Sequence, residues 1–249
     1  MDKRIFNFLT PYMLIILWIT IGQIILPACP DSVTATLIAN CIVSCIGFYF
    51  YKITYFKRDR EVKFDIKPFG IYLLFTVVIW FTVNVACEYA YVNFGDATFA
   101  SYSDRYNSNI FIYLLLTVFV APVFEELVIR GILYNISCEV FNRTMGTLVS
   151  VLVFSLLHGT SVHVILGIIA GIFFTFVYET RHNLLDCVIV HSIYNIMCLV
   201  FTIFLPVEPA LWLFIVCLMI SCVALLLYLL FMIKPDWTKF NKKEPMTHL

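Results

Sequence analysis

The amino-acid sequence predicts an all-α membrane protein with about eight transmembrane helices and a polar site within the membrane. Of its 249 residues, 62% are hydrophobic and only 13% are charged. The mean hydropathy of +0.95 lies far above that of a soluble domain. Glu125 and Glu126 stand inside one of the apolar stretches. A carboxylate there is energetically costly and usually functional, so these residues indicate a site.

Each predicted span is an apolar stretch of roughly the ~20 residues that cross a bilayer as a helix. In chain order the stretches cover residues 6–28, 33–56, 69–92, 110–130, 146–160, 162–179, 184–205 and 210–233. The fifth and sixth are short and nearly contiguous, so we expect a tight hairpin or tilted helices. The mixed stretch 131–145 is compatible with an interfacial helix. The whole chain, 1–249, is predicted to be one polytopic domain that ends in a short polar tail at 234–249.

The distribution of Lys and Arg predicts the orientation of these spans. Positive side chains concentrate before the first stretch, between the second and third, and in the tail, whereas the opposite loops contain only Arg105. Because cytoplasmic loops carry the excess of positive charge, both termini and the tail are predicted to be cytoplasmic. The formal net charge is zero, so nothing predicts a nucleic-acid partner. The nine cysteines are scattered without a CxxC pair, which is typical of small buried apolar side chains.

Three groups that each contain polar side chains lie within the apolar stretches. They are Glu125, Glu126 and Arg130 in the fourth stretch, Phe154 with His158 in the fifth, and His191 with Asn195 in the seventh. Residues three or four apart share a helix face, whereas adjacent residues diverge by about 100°. Glu126 and Arg130 can therefore pair while Glu125 faces a cavity. Counted along the helices, the Glu and both His residues fall in the cytoplasmic half or near the midplane.

This residue set is sufficient for peptide-bond hydrolysis. A Glu and a His around a water can take its proton, while a second His and an Asn amide donate to the oxyanion. Alternatively, Glu125, His158 and His191 would hold a divalent metal such as zinc, and without an HExxH motif that site would need three helices. Each group also has a structural explanation. Glu126 with Arg130 would form an ion pair, and His191 with Asn195 would hydrogen-bond across helices.

The three patterns, Glu-Glu-x-x-x-Arg, Phe-x-x-x-His and His-x-x-x-Asn, occur in this order at 125–130, 154–158 and 191–195. With them the chain resembles the CPBP or ABI intramembrane proteases, also called the type II CAAX prenyl endopeptidase family, over a core of about 110–205. The resemblance implies that Glu125 and His158 activate water and that His191 and Asn195 stabilise the oxyanion. It implies that Glu126, Arg130 and Phe154 support the site.

The predicted function is therefore an intramembrane endopeptidase, glutamate-dependent or metal-dependent, in a bacterial cell membrane. Its partners would be the lipid bilayer and a peptide precursor or membrane-associated protein, cleaved near the cytoplasmic face. The alternative is a non-proteolytic membrane regulator, or a bacteriocin self-immunity protein, that uses the same fold. Retention of all six polar residues favours the protease, because sequestering a partner does not require a pair that activates water.

Overall fold

A computed structural model describes residues 3–56, 70, 72, 76–81, 109–159, 161–204, 216 and 219. These residues are almost all helical and include no strand, so the all-α prediction is confirmed for this part of the chain. The helices are α1 Lys3–Ile25, α2 Ser32–Thr54, α3 Ile110–Val140, α4 Arg143–Leu156, α5 Ser161–Arg181 and α6 Leu184–Phe204.

Side-chain caps fix where three of the helices begin. Asp31, Asn109 and Asn142 each accept a hydrogen bond from a backbone N–H two or three residues later, at the starts of α2, α3 and α4. The first turn of a helix leaves its N–H groups without partners inside the helix, and such side chains satisfy one of them. Polar residues between the apolar stretches thus set the register in which each helix enters the bundle.

Three helices in the described ranges are long and apolar enough to cross a membrane: Phe6–Ala28, Ser32–Thr54 and Ile110–Val140. Arg143–Leu156 and Leu184–Leu199 are apolar but shorter. Large apolar side chains point outward, with Phe111 78% and Ile24 71% exposed. Such a surface suits a lipid environment. About two thirds of the predicted span 69–92 and nearly all of 210–233 lie outside the described residues, so the count of eight stays a prediction.

The third helix is longer than the sequence indicated. The predicted span ended at 130, but α3 continues without a break to Val140. The interfacial location of 131–145 stays a prediction. The added ten residues lengthen the helix by about 15 Å. Hydrogen bonds to α5 hold this extension in the bundle: the Tyr134 hydroxyl donates to Glu179 and the Asn135 amide donates to the Tyr178 hydroxyl, both at 2.7 Å.

The fifth predicted span is shorter than expected at its far end. Helix α4 ends at Leu156, which leaves His158 in the turn that follows. Gly159 in that turn has a φ of 77°, a left-handed conformation that glycine adopts readily and that ends helices. The expected tight hairpin is observed. Helices α4 and α5 run antiparallel, and a Cβ at Gly167 would lie 2.9 Å from the Ser155 Cα.

Contacts along α3 show how its neighbours run. Asn195 reaches Thr117 and His191 reaches Glu126, so α6 is antiparallel to α3. Helix α5 is parallel to α3. Arg130 contacts Gly171, and further along both helices Tyr134 contacts Glu179. Helices α3, α5 and α6 therefore surround the polar residues of the fourth and seventh predicted spans.

Candidate functional site

The site is centred on Glu126, whose side chain is completely buried in α3. The Arg130 Nη1 donates to its Oε1 at 2.9 Å, so the ion pair expected from the spacing is present, and both side chains have 0% exposure. A buried carboxylate is tolerated only with opposite charge and hydrogen bonds around it. Arg130 supplies the charge from the same face of the helix.

Arg130 is itself held by α4 and α5. Its Nη2 donates to the Gly171 carbonyl at 3.1 Å. Its guanidinium carbon lies 4.4 Å from the centre of the Phe154 ring and 5.6 Å from that of Phe174. Aromatic faces attract a cation, and the attraction is stronger where water is excluded. The Phe of the second motif therefore supports the Arg of the first.

His191 on α6 contacts both glutamates. Its Nδ1 lies 2.7 Å from the Glu126 Oε1, and its Nε2 lies 3.8 Å from the Glu125 Oε2. Because Arg130 also donates to that Glu126 oxygen, Glu126 is best described as an ionised acceptor, and Nδ1 must then carry the proton. In the neutral imidazole this leaves the Nε2 lone pair directed towards Glu125.

Glu125 has a different environment from its neighbour. Its side chain is 23% exposed, and its Oε2 is buried without a hydrogen-bond partner among the described residues. The two glutamates diverge around the helix as expected, yet one imidazole reaches both because its nitrogens lie on opposite sides of the ring. The backbone is π-helical on both sides of Ala121–Glu126, at Leu115–Val120 and Leu127–Tyr134. Such turns often occur at functional sites.

His158 and Asn195 lie at the edges of this cluster. The His158 Nδ1 is 2.8 Å from the Phe154 carbonyl and its ring packs on the Phe154 ring, but within the described ranges it forms no hydrogen bond or ion pair with a glutamate. Asn195 donates to the Thr117 carbonyl at 2.9 Å, one turn along α6 from His191. The structure thus brings Glu125, Glu126, Arg130 and His191 into direct contact, and His158 and Asn195 adjoin them.

Two residues of the site were missed by the sequence analysis. The Cys187 thiol, interpreted from sequence as a small apolar group, lies 3.0 Å from the Glu126 Oε2. Phe174 stacks on the His191 ring, with centroids 4.4 Å apart and an interplanar angle of 23°. A signal existed for Cys187, because it precedes His191 by one helical turn and so shares its face. Nothing in the sequence distinguishes Phe174 from its apolar neighbours.

A metal site was also predicted from Glu125, His158 and His191. In the part of the chain that the structure describes, no group of three His, Cys, Asp or Glu side chains is arranged to hold a metal ion. The two Nε2 atoms and the Glu125 carboxylate are suitable ligand types for zinc. A bound zinc therefore stays a prediction from the sequence.

The fold and the site define a helical membrane protein with a buried cluster of charges. The family described as Type II CAAX prenyl endopeptidase Rce1-like matches residues 107–197. The match confirms the resemblance predicted from the three motifs and covers every residue of the cluster. It supports a protease of the CAAX type and an integral membrane location.

Two curated relatives extend the comparison. An uncharacterized protein of Mycoplasma capricolum subsp. capricolum is 34% identical over 96 residues, 37% of this chain and 28% of the relative. The UPF0177 protein YbdI of Lactococcus lactis subsp. lactis is 25% identical over 143 residues, 53% of this chain and 76% of the relative. The match to the Mycoplasma protein thus spans little more than a quarter of that protein. No solved structure matches the chain.

Proposed function

We propose that this chain is an intramembrane endopeptidase that hydrolyses a peptide bond of a peptide precursor or membrane-associated protein near the cytoplasmic face. The observation that carries the proposal is the 3.8 Å approach of the Glu125 Oε2 to the His191 Nε2. Both atoms are hydrogen-bond acceptors when Glu125 is ionised and His191 is neutral. Two such acceptors need a donor, and in this proposal the catalytic water supplies it.

The geometry supports activation of that water. A water about 2.8 Å from both atoms lies to one side of the line that joins them and donates one hydrogen to each. Its lone pair then points away from them, towards a substrate carbonyl. Glu125 takes the proton as the water oxygen bonds to the carbonyl carbon, and it returns the proton to the leaving amine as the C–N bond breaks.

The remaining residues have supporting roles in this proposal. Glu126 and Arg130 keep His191 in the tautomer whose Nε2 accepts a hydrogen bond. Asn195 uses one amide N–H on Thr117 and has a second for the oxyanion. His158, with Nδ1 turned to the Phe154 carbonyl, offers Nε2 as a second proton carrier. The family resemblance assigns water activation to His158 and the oxyanion to His191, whereas the contact with Glu125 favours His191 at the water.

The test removes the base and leaves the fold intact. Glu125→Gln keeps the size of the side chain but cannot take a proton from water at neutral pH, so turnover should fall by roughly 10²–10⁴-fold. New protein N-termini would be mapped in membranes of a deletion strain carrying wild type or variant at matched abundance. The exposed residue Glu139 gives the control Glu139→Gln, on the same helix, which should retain cleavage.

The outcome separates the protease from a non-proteolytic regulator. Loss of a defined set of N-termini in Glu125→Gln, but not in Glu139→Gln, supports hydrolysis. If the protein is a regulator or a self-immunity protein, membranes with Glu125→Gln and membranes with wild type should show the same N-termini and the same phenotype. That result would end the proposal.

A further inference from the structure

We infer that Cys187 is a positioning residue for the Glu126–His191 pair, an inference that rests on the proposed function. The Cys187 side chain is completely buried on α6, and its Sγ lies 3.0 Å from the Glu126 Oε2. The other carboxylate oxygen, Oε1, already receives the Arg130 Nη1 and the His191 Nδ1. With the thiol, both oxygens of Glu126 have donors.

The position of Cys187 in the sequence makes this contact a geometric constraint. Cys187 and His191 are one turn apart on α6. Their side chains therefore each contact one of the two oxygens of the Glu126 carboxylate on α3. Rotation of the carboxylate about its terminal bond would break one of the two contacts. The thiol therefore fixes the plane of the Glu126 carboxylate. That carboxylate orients the His191 ring through Nδ1, and the ring in turn directs Nε2 towards Glu125.

The thiol has a second acceptor, which could in principle divert its proton. The Phe174 carbonyl is 3.3 Å from the Sγ. That oxygen is neutral, whereas Glu126 carries charge and is closer, and hydrogen bonds to ionised acceptors are the stronger ones. Phe174 contributes in another way, because its ring stacks on His191 and restricts the rotation of the imidazole. The Cys187 thiol thus fixes the carboxylate that accepts from His191, and the Phe174 ring fixes the plane of the imidazole.

A packing role predicts a different mutational pattern from a positioning role. Cys187→Ser keeps a donor of similar shape, whereas Cys187→Ala keeps only the apolar character. If the thiol merely fills space, the buried hydroxyl of Ser should be no better than Ala. If it positions Glu126, Ser should keep kcat near that of wild type, while Ala lowers kcat about 10-fold and leaves KM unchanged, as expected when one hydrogen bond to a charged group is lost. Cys41→Ala, at an exposed cysteine on α2, is the matched control.

A second measurement tests the contact whether or not hydrolysis is observed. The infrared S–H stretching band of Cys187 can be isolated in the difference spectrum of wild type minus Cys187→Ala. Its frequency should be lower than that of exposed thiols, because the thiol donates to a carboxylate. In Glu126→Gln the frequency should rise towards that of exposed thiols. A band at the position of exposed thiols, or equal kcat in the Ala and Ser variants of an active enzyme, would overturn the inference. A shifted band in a protein that cleaves nothing would instead contradict only the proposed function.

Discussion

A carboxylate with no solvent exposure depends on its neighbours for every hydrogen bond that water would otherwise supply. Glu126 has three donors: the Arg130 guanidinium, the His191 imidazole and the Cys187 thiol. Burying such a pair costs desolvation energy that the attraction between the charges need not recover. The arrangement is therefore better explained by the orientation it gives His191 than by stability.

At this scale the stability of the ion pair can be measured. Arg130→Met keeps an unbranched apolar side chain but leaves Glu126 buried without its cation, which should destabilise the protein by about 3–5 kcal/mol. The double variant Arg130→Met with Glu126→Gln carries no uncompensated charge and should recover most of that loss. Thermal unfolding of the four proteins in detergent gives the coupling energy. Additive effects would show that the two residues do not stabilise each other.

The sequence predicted part of this site correctly. The i, i+4 spacing indicated the pairing of Glu126 with Arg130, and the divergence of adjacent residues indicated that Glu125 faces elsewhere. It could not indicate that His191, rather than His158, meets Glu125. That contact depends on where α4 ends and how α6 packs on α3. Cys187 was missed because composition treats a thiol as apolar, and its donor role appears only beside a charged acceptor.

The packing of the helices depends on small residues where α5 crosses its neighbour. A Cβ at Gly167 would meet the Ser155 Cα at 2.9 Å, and one at Gly171 would meet the Phe154 ring at 3.2 Å. The two glycines are one turn apart, a spacing that lets helices approach closely in membranes. The carbonyl of Gly171 also accepts a hydrogen bond from Arg130, so this glycine contributes both to helix packing and to the site.

Substituting a glycine by alanine should lower the free energy of unfolding at a close helix crossing and raise it where there is room for a Cβ. Gly167 and Gly22 give one case of each. Gly167→Ala forces α4 and α5 apart, because its nearest neighbour is backbone, and should cost about 1–3 kcal/mol. Gly22→Ala has its nearest contact at an ordinary 3.9 Å and should stabilise α1 slightly, by roughly 0.5–1 kcal/mol. Melting temperatures in detergent compare the two. A Gly167→Ala protein as stable as wild type would exclude a close crossing at this position.

Across the whole molecule, the packing of the described helices brings particular ends together. The Phe8 ring near the start of α1 contacts the Phe141 ring just after α3, and Tyr51 near the end of α2 lies against Gly131. Arg181, at the end of α5, pairs with Asp186 at the start of α6 at 2.6 Å. These ends belong on one side if the chain crosses the bilayer at each predicted span. The Lys and Arg pattern predicts that this side is cytoplasmic.

Labelling can test the orientation in intact cells. Ser101→Cys lies in the loop predicted to be external, and Arg60→Cys lies in the loop predicted to be cytoplasmic. A maleimide that cannot cross the membrane should react with the first and spare the second, with the wild-type chain as the blank for its own cysteines. Reaction with Arg60→Cys alone would reverse the topology, and the site would then open to the opposite face.

The spacing of the charged residues also has a consequence for biosynthesis. Glu126 and His191 are 65 residues apart, whereas Glu126 and Arg130 belong to the same turn of α3. As the chain leaves the ribosome, α3 is complete well before α6 has been translated. Its buried acid can then enter the bilayer already neutralised by its own helix, without waiting for a partner from another. We therefore expect the arginine to serve as the counterion during insertion and the histidine to join an ion pair that has already formed.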